Sequence, residues 1–379
     1  MKLRIGIDGR YIQDHFPGIG RYTYSLARAL AKVAPDESFV ILHNPTLLNT
    51  RYDLASLAHF PNIELVRTNV PTFSWTEQLR LPLVIGHLSL DICHSPYYIK
   101  PYWLPCPSVL TVHDLIPLIY PQELPSPAAR CLYRLTHWLA VHTADHIIAV
   151  SEASKHDLVQ FFRLSTSKIS VVHEAASGHF EPQSPETIAK VRYKYHLPNR
   201  YVLYFGINKP HKNLVRLIEA WSLVIGSLGF DHWSLVIAGR EDPRYPHARR
   251  KAAELGLQDR VIFLGEVAEA DLPALYSGAT LFVFPSLYEG FGLPVLEAIA
   301  CGTPVVCSNT SSLPEIVGEA ALTFDPLDVT EMAARIEEVL HNEALQEEMR
   351  EKGLQQAAKF SWERTAQETL EVYREVTSR

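Results

Sequence analysis

The stretch that decides the fold is Phe282–Val306, FVFPSLYEGFGLPVLEAIACGTPVV. Its apolar start, Phe282–Phe284, fits a short strand buried in a parallel sheet, and Pro285 ends that strand. Pro294 marks the first turn of a helix, because a residue without an N–H group is tolerated there. Gly302 ends the helix before a second apolar run, so the stretch predicts strand, loop, helix and strand.

The loop of this stretch is predicted to bind an anion. Gly290 and Gly292 leave the backbone open to a ligand. The N–H groups of Phe291, Gly292 and Leu293 lie at the positive end of the helix dipole and have no partner within the helix. A diphosphate is the ligand that suits such a site.

Two glutamates flank the loop. Glu289 comes just before it, and Glu297 lies eight positions later on the helix. Eight helical residues rise about 12 Å, which is similar to the distance between the ribose and the hexose of a nucleotide sugar. One carboxylate is therefore expected to bind the ribose and the other the sugar. The alternative is a buried strand–helix–strand unit whose glutamates bind no ligand.

The segment EGFGLPVLE resembles the E-x7-E signature of retaining glycosyltransferases with the two-domain GT-B fold, in the large family 4 of bacterial sugar transferases. The resemblance implies that Glu289 is catalytic and contacts the donor hexose, whereas Glu297 binds the ribose. It also implies that the N–H groups of residues 291–293 bind the sugar and the phosphates. It extends along nearly the whole chain and is strongest over residues 201–306.

The chain has 379 residues, which favours two domains. Strands and helices alternate in both halves, and this predicts an α/β protein with two Rossmann-like, doubly wound domains that face a cleft. We place an acceptor-side domain at 1–180 and a donor domain at 181–360. The GT-B resemblance implies that the C-terminal helix, 361–379, crosses back to the N-terminal domain. Where the family usually has a Pro-Asn-Gly-like turn, this chain has the sequence His-Glu-Ala-Ala at 173–176.

Lys212 is a candidate for binding the donor phosphates. It stands before a predicted helix, in the turn after Gly206, and its ammonium group is a compact point charge. An ordinary surface lysine is the alternative. Family members often carry Arg one residue after this glycine and Lys six residues after it, so Lys212 matches the second position. Ile207 fills the first position, and Arg240 or Lys209 is expected to supply the missing cation.

The first half offers three further candidates. Gly18 and Gly20 are predicted to lie in a loop where the backbone approaches a ligand, and the resemblance places this loop near the donor phosphates. The glycine spacing departs from a dinucleotide fingerprint, so a plain loop is the alternative. His113 follows a predicted strand at the carboxyl edge of the sheet, and the resemblance implies a catalytic place near the donor sugar. A structural histidine is the alternative there.

Two surface segments have two interpretations each. Phe73 and Trp75 begin a predicted helix, and core packing is favoured over an edge that binds a lipid-linked acceptor. The predicted helix 128–142 combines aromatic residues with Arg130 and Arg134. Packing on the sheet is favoured for it over contact with a membrane surface.

Composition excludes several classes of function. A net charge of −7 argues against a general nucleic-acid binder. No apolar run has membrane-spanning length, the start reads as a strand rather than a signal peptide, and the five cysteines form no C-x-x-C, so we expect a cytoplasmic protein with buried, reduced thiols. The sequence contains no Asp-x-Asp, so no metal at the diphosphate and no cofactor beyond the donor are expected.

The sequence thus predicts a retaining, metal-independent hexosyltransferase. Its donor is a nucleotide-diphosphate sugar, with UDP-glucose favoured and GDP-mannose next, and its acceptor is a bacterial polysaccharide or a lipid-linked glycan. Peripheral contact with the inner face of the membrane is part of this prediction. A UDP-sugar epimerase of similar fold, which needs no acceptor, is one alternative. A non-catalytic nucleotide-sugar-binding subunit, which binds without transfer, is the other.

Overall fold

The computed structural model describes residues 2–227 and 233–378. The chain divides into two compact units. The first runs to Glu174 and takes in the C-terminal segment from Ser361, and the second runs from Ala175 to Phe360. The sequence-based boundary at 180/181 stays a prediction.

The first unit is built on a parallel sheet. Its described strands are Arg4–Asp8 (β1), Ser38–His43 (β2), Ile63–Arg67 (β3), Ile92–Ser95 (β4), Ser108–Val112 (β5), His146–Ala149 (β6) and Ile169–Val171 (β7). They pair in parallel in the order β3-β2-β1-β4-β5-β6-β7. The direction of winding reverses between β1 and β4, so this is a doubly wound sheet, and its strands are apolar runs because helices cover both faces.

The helices that connect these strands are Pro17–Val33 (α1), Glu77–Gly86 (α2), Ile116–Ile119 (α3), Pro127–Thr143 (α4) and Glu152–Phe162 (α5). Local sequence sets several of their starts. Ser126 and Ser151 each accept a hydrogen bond from a backbone N–H group in the first turn of α4 and α5. Pro17 occupies the first position of α1, where its missing N–H group costs nothing.

The start of α1 corrects one expectation. Gly18 and Gly20 lie in the first turn of this helix and not in a loop. Gly20 is needed for close packing, because a Cβ atom there would lie 3.1 Å from the carbonyl oxygen of Tyr11. Pro17 overrides the weak helix propensity of the two glycines, since its fixed φ angle is already helical.

The second unit repeats the architecture. Its described strands are Tyr201–Phe205 (β8), Ser234–Ala238 (β9), Val261–Gly265 (β10), Leu281–Phe284 (β11), Val305–Ser308 (β12) and Ala321–Phe324 (β13). They pair in parallel in the order β10-β9-β8-β11-β12-β13. Its helices are Pro185–Lys194 (α6), Leu214–Gly226 (α7), His247–Glu254 (α8), Leu272–Ser277 (α9), Leu293–Ala300 (α10), Leu313–Val317 (α11), Val329–Leu340 (α12) and Glu343–Ala357 (α13). The winding reverses between β8 and β11, where ligands of such sheets bind.

The last helix, Trp362–Thr377 (α14), belongs to the first unit. It packs against α1, and the ring of Trp362 meets that of Tyr22 edge-on at 5.9 Å. The Tyr373 hydroxyl lies 2.5 Å from Nδ1 of His94, on β4. The predicted class, two doubly wound α/β domains with a C-terminal helix that returns to the first, is confirmed.

Two expectations about the surface are wrong. Phe73 and Trp75 are exposed instead of packing in the core, because α2 begins only at Glu77 and turns its other face inward. Cys131 is exposed on the outer face of α4, whereas Cys93, Cys301 and Cys307 are buried as expected. Among the helices of the described residues, none combines the length and the apolar character needed to cross a bilayer.

Candidate active site

The loop after β11 is shaped by a glycine that no other residue replaces without strain. Gly292 precedes α10 with φ 109° and ψ 40°, in the left-handed region. A Cβ atom there would lie 2.7 Å from Cδ2 of Leu313. The Gly292 carbonyl accepts the N–H group of Val295 at 3.0 Å, so the first turn of α10 begins directly after this glycine.

Two serines hold the loop in place. The Glu289 N–H group donates to Oγ of Ser311 at 2.9 Å. The Ser312 hydroxyl is shared between the carbonyls of Glu289, at 3.1 Å, and Phe291, at 2.7 Å. These bonds fix the backbone on both sides of Gly290. The sequence analysis missed both serines, although hydroxyl residues directly before α11 were visible in it.

Lys212 and Glu289 form an ion pair. Nζ of Lys212 lies 2.6 Å from Oε1 of Glu289, and their side chains are only 14% and 9% exposed. Lys212 ends the turn after β8 and Glu289 belongs to the loop after β11, so the two side chains meet where the winding of the sheet reverses. The structure thus brings together the predicted phosphate cation and the predicted sugar-binding carboxylate.

Asn213 positions Lys212. Its backbone is left-handed, with φ 60°, a conformation that asparagine tolerates better than most residues. Its amide group donates to the carbonyls of Pro285, at 3.1 Å, and Pro326, at 2.7 Å. The turn after β8 is therefore tied to the loop after β11. The sequence analysis used Asn213 only as a helix start and missed this role.

Arg240 lies in a neighbouring pocket. It follows Gly239 at the end of β9 and is exposed. It lines a cavity of about 80 Å³ whose walls include Gly206 and Phe263. Asn208 shapes this cavity, because its side chain donates to the carbonyls of residues 242 and 245, at 3.1 and 2.9 Å. Arg240 is thus available as a second cation at the carboxyl edge of the sheet, next to the turn that carries Lys212.

Glu297 lies on α10 and is buried at 2% exposure. The Tyr276 hydroxyl donates to its Oε2 at 3.1 Å. Tyr276 lies in the last turn of a short helix, α9, so this bond joins α9 to α10. A buried carboxylate with a hydroxyl partner is oriented in advance, and its role in binding the ribose stays a prediction.

His113 is the candidate of the first unit, directly after β5. Its Nδ1 lies 2.7 Å from Oε1 of Glu174, and its Nε2 lies 3.0 Å from the carbonyl oxygen of Pro96. Both partners are acceptors, so this arrangement favours the ring with hydrogen on both nitrogens. Burial lowers the pKa of His113, but the hydrogen bond and the charge of Glu174 outweigh it and raise the pKa above its ordinary value.

Glu174 was missed by the sequence analysis. It is buried, and it lies in the segment 173–176, where the chain departs from the family's usual turn. That departure was the available signal, because a carboxylate had taken the place of a neutral turn residue. Over residues 2–227 and 233–378, no group of three or more His, Cys, Asp or Glu side chains is close enough to hold a metal ion.

Known proteins resemble this chain in sequence and in fold. Residues 17–176 match the family described as Glycosyltransferase Family 4, and residues 189–356 match Glycosyl transferases group 1. The O-antigen chain mannosyltransferase B of Escherichia coli is 31% identical, and the alignment covers 94% of this chain and 96% of that protein. The serotype-specific mannosyltransferase WbdA of Escherichia coli is 30% identical over 98% of this chain, which spans only 48% of that relative.

Two solved structures show the fold. Sucrose-phosphate synthase from Thermosynechococcus elongatus superposes with a TM-score of 0.75 at 21% identity, covering both chains completely. Anabaena Alr3699/HepE in complex with UDP-glucose gives a TM-score of 0.75 at 20% identity, covering 98% of this chain and 100% of that one. With its identity to a curated mannosyltransferase over nearly the full length of both proteins, the chain belongs to the GT-B glycosyltransferases of family 4, and it is a glycosyltransferase.

Proposed function

We propose that this enzyme transfers mannose from a nucleotide-diphosphate donor to a growing polysaccharide of the O-antigen type, with retention of configuration. The observation that carries the proposal is the pair formed by Lys212 and Glu289 beside the N-terminus of α10. The sugar is inferred from the two relatives described above, both of which are named mannosyltransferases. GDP-mannose, the second choice from the sequence, therefore precedes UDP-glucose as the donor to be tested.

The pair suggests how the donor enters. Without a ligand, the Lys212 ammonium group pairs with the Glu289 carboxylate, with Nζ 2.6 Å from Oε1. A diphosphate competes with Glu289 for that ammonium group, because it carries a larger negative charge. The N–H groups at residues 291–293 bind the same diphosphate and so favour it further. Release of Glu289 then frees its carboxylate to accept hydrogen bonds from the sugar hydroxyls. Donor binding and orientation of the sugar are coupled in this way.

The same groups lower the barrier to transfer. Negative charge builds on the diphosphate as its bond to the anomeric carbon breaks. Lys212, the N-terminus of α10 and Arg240 are fixed donors for that charge. The acceptor hydroxyl attacks from the face that the phosphate leaves, and its proton passes to the departing phosphate oxygen. Glu289 acts as a positioning group here, and not as the nucleophile of a glycosidase.

His113 is the second catalytic candidate, and its positive charge is suited to a hydroxyl of the sugar or to the charge of the leaving group. The donor is the only small molecule that the proposed reaction needs besides the acceptor. The acceptor we propose is a polysaccharide or a lipid-linked glycan at the cytoplasmic face of the membrane. Family membership makes a glycan acceptor the first choice.

The test is a transfer assay with the full chain. Purified protein is given GDP-mannose, UDP-mannose or UDP-glucose with a lipid-linked mannan oligosaccharide, and product is followed by mass spectrometry. We expect GDP-mannose to be consumed and one α-mannosyl residue to be added. Consumption of UDP-glucose alone would refute the mannose donor, and an inverted β-linkage would refute retention. Interconversion of a UDP-sugar without acceptor would instead identify an epimerase.

Two variants test the site itself. Glu289→Gln is expected to lower transfer at least 100-fold while calorimetry still detects GDP binding, because a positioning group for the transition state is lost. Lys212→Met is expected to weaken the binding of GDP. Lys251→Met is the matched control, since Lys251 pairs with Glu219 at 3.1 Å on the surface of the same unit. Equal losses in Lys251→Met and Lys212→Met would remove Lys212 from the site.

A further inference from the structure

A series of hydrogen bonds runs from helix α14 into the core of the first unit. The Tyr373 hydroxyl, on α14, lies 2.5 Å from Nδ1 of His94, on β4. Nε2 of the same ring lies 2.7 Å from Oγ1 of Thr111, on β5. That oxygen lies 2.9 Å from the hydroxyl of Tyr22, on α1. These four side chains form the Tyr22–Tyr373 network, which joins the first and the last helix of the unit through two neighbouring strands.

The four side chains of the Tyr22–Tyr373 network are at most 1% exposed. Burial, reinforced by the charge of His113, lowers the pKa of His94 to about 3, so its ring is neutral. A neutral imidazole has one donor and one acceptor nitrogen, which suits a hydroxyl on each side. Apolar groups of the same shape can replace both partners of a buried hydrogen bond at little cost in stability. The network therefore gives its members a defined orientation rather than a large gain in stability.

Tyr22 is the member of the network that meets His113. Their rings stand at right angles, with an interplanar angle of 88° and centroids 4.8 Å apart, an arrangement that aromatic pairs prefer. Thr111 holds the Tyr22 hydroxyl, so the Tyr22 ring cannot turn away without breaking that bond. On α14, Trp362 meets the same ring at 5.9 Å. The His113 side chain keeps 18% of its surface exposed, so the contacts lead from the buried core to a ring that a ligand can reach.

Helix α14 also holds the backbone beside the other neighbour of His113, Glu174. The Thr365 hydroxyl, on α14, donates to the carbonyl of His173 at 2.7 Å. Glu174 is the next residue, and its Oε1 lies 2.7 Å from Nδ1 of His113. One helix thus constrains both sides of the His113 ring, through an aromatic contact on one side and through the backbone of its carboxylate partner on the other.

We infer that helix α14 positions His113 for the transfer reaction, with Tyr22 as the residue that transmits the contact. Tyr22 is a positioning residue, because it is buried and acts through the ring of His113. This role rests on the catalytic place proposed for His113 and deepens it. A misplacement of about 1 Å in a catalytic group can lower a rate by about 100-fold, so the contacts that hold this ring have a measurable effect on transfer. The returning helix then serves catalysis as well as stability.

The first test observes the ring of His113 directly and needs no substrate. Labelling the histidines of the full chain with ¹⁵N gives ring signals in NMR spectra, and His113→Gln assigns those of His113. Tyr22→Phe removes the hydroxyl and keeps the ring, and we expect it to shift the His113 signals and to lower the His113 pKa, because the ring moves away from Glu174. Tyr24→Phe is the matched control on the same helix, since its hydroxyl lies 2.8 Å from Oγ of Ser56. His113 signals and a His113 pKa that are the same in both variants would overturn the inference.

The middle of the network is tested at Thr111. Thr111→Val keeps a similar shape without the hydroxyl and is expected to change the His113 signals as Tyr22→Phe does. Thr111→Ser restores the hydroxyl and is expected to restore the signals. Tyr373→Phe breaks the network at α14 and is expected to change them in the same direction. If Thr111→Val lowered the melting temperature but left the His113 signals unchanged, the network would be structural alone and the inference would be refuted.

Kinetics separate this role from the proposed function. In the transfer assay with GDP-mannose, Tyr22→Phe is expected to lower kcat roughly tenfold at an unchanged KM, because Lys212 and Glu289 lie in the second unit. Tyr22→Phe is expected to have no further effect in the His113→Ala background, since Tyr22 acts through His113. An equal loss in both backgrounds would assign Tyr22 to general stability and refute positioning. Full activity of His113→Ala would instead refute the catalytic role of His113, on which the positioning role rests.

Discussion

The raised pKa of His113 makes the stability of the protein depend on pH at one residue. Glu174 raises the pKa of His113 in the folded protein above the ordinary value of about 6.5. The protonated ring therefore contributes stability that is fully present below pH 6.5 and is lost as the pH rises through the higher, folded-state pKa. His94 lies nearby but stays neutral, because burial, reinforced by the charge of His113, lowers its pKa to about 3.

We predict that Glu174→Gln lowers the pKa of His113 and removes this part of the pH dependence of the free energy of unfolding. Glutamine keeps an acceptor oxygen near Nδ1 but loses the charge. Titration of the ring signals by NMR measures the pKa, and urea unfolding at several pH values measures the stability. A His113 pKa that is the same in the variant and the wild type would contradict the pairing.

Gly292 gives a second prediction at the scale of one residue. We expect Gly292→Ala to cost at least 1–2 kcal/mol of stability, because its φ of 109° is unfavourable for alanine. The added Cβ would also press on Leu313. Gly178→Ala is the control, since a Cβ there meets nothing within 4 Å. Thermal unfolding measures the stability of both variants. Equal melting temperatures for Gly292→Ala and Gly178→Ala would contradict a strained turn at Gly292.

At the scale of elements, buried ion pairs connect the end of β1 to the start of α2. The Arg10 guanidinium lies 2.6 Å from Oδ2 of Asp8 and 2.5 Å from Oε1 of Glu77, and all three side chains are at most 2% exposed. Removing the cation leaves two carboxylates buried and unpaired. We therefore predict that Arg10→Met costs about 3–5 kcal/mol of unfolding free energy.

The exposed pair of Arg4 and Glu64 provides the control for this network. Their side chains are 36% and 51% exposed, so Arg4→Met is expected to cost less than about 1 kcal/mol. Urea unfolding curves of both variants give the comparison. If Arg10→Met were as stable as Arg4→Met, the buried network would not hold the end of β1 against α2.

Elements with a local signal were predictable, and contacts between distant segments were not. The strand before Pro285 and the helix from Leu293 follow from apolar periodicity, proline and glycine, and the structure has them. Partners such as Glu77 for Arg10, or Glu174 for His113, lie more than 60 residues away and depend on the finished sheet. The core placement of Trp75 was wrong for a different reason: apolar residues also make up a large part of a protein's surface, so hydrophobicity alone does not predict burial.

On the scale of the whole molecule, the first unit is completed by the end of the chain. The Thr365 hydroxyl donates to the carbonyl of His173 at 2.7 Å, and Arg374 pairs with Glu37 at 3.0 Å. Five large apolar side chains of α14 are also buried: Trp362, Leu370, Val372, Tyr373 and Val376. Burial of each large apolar side chain contributes about 1.5–3 kcal/mol, and a domain is stable by about 5–15 kcal/mol in total. The first unit therefore depends on α14 for a large share of its stability.

A chain that ends at Phe360 is predicted to lose the first unit and to keep the second. Lys212, Glu289 and α10 all lie within the second unit, so binding of the nucleotide is expected to persist in the truncated protein. Limited proteolysis followed by mass spectrometry should yield a resistant fragment near residues 175–360. A chain that ends at Val376 keeps the five buried side chains and is expected to resist proteolysis throughout. Survival of residues 1–174 in the shorter chain would show that the strands of the first unit, and not the returning helix, carry its stability.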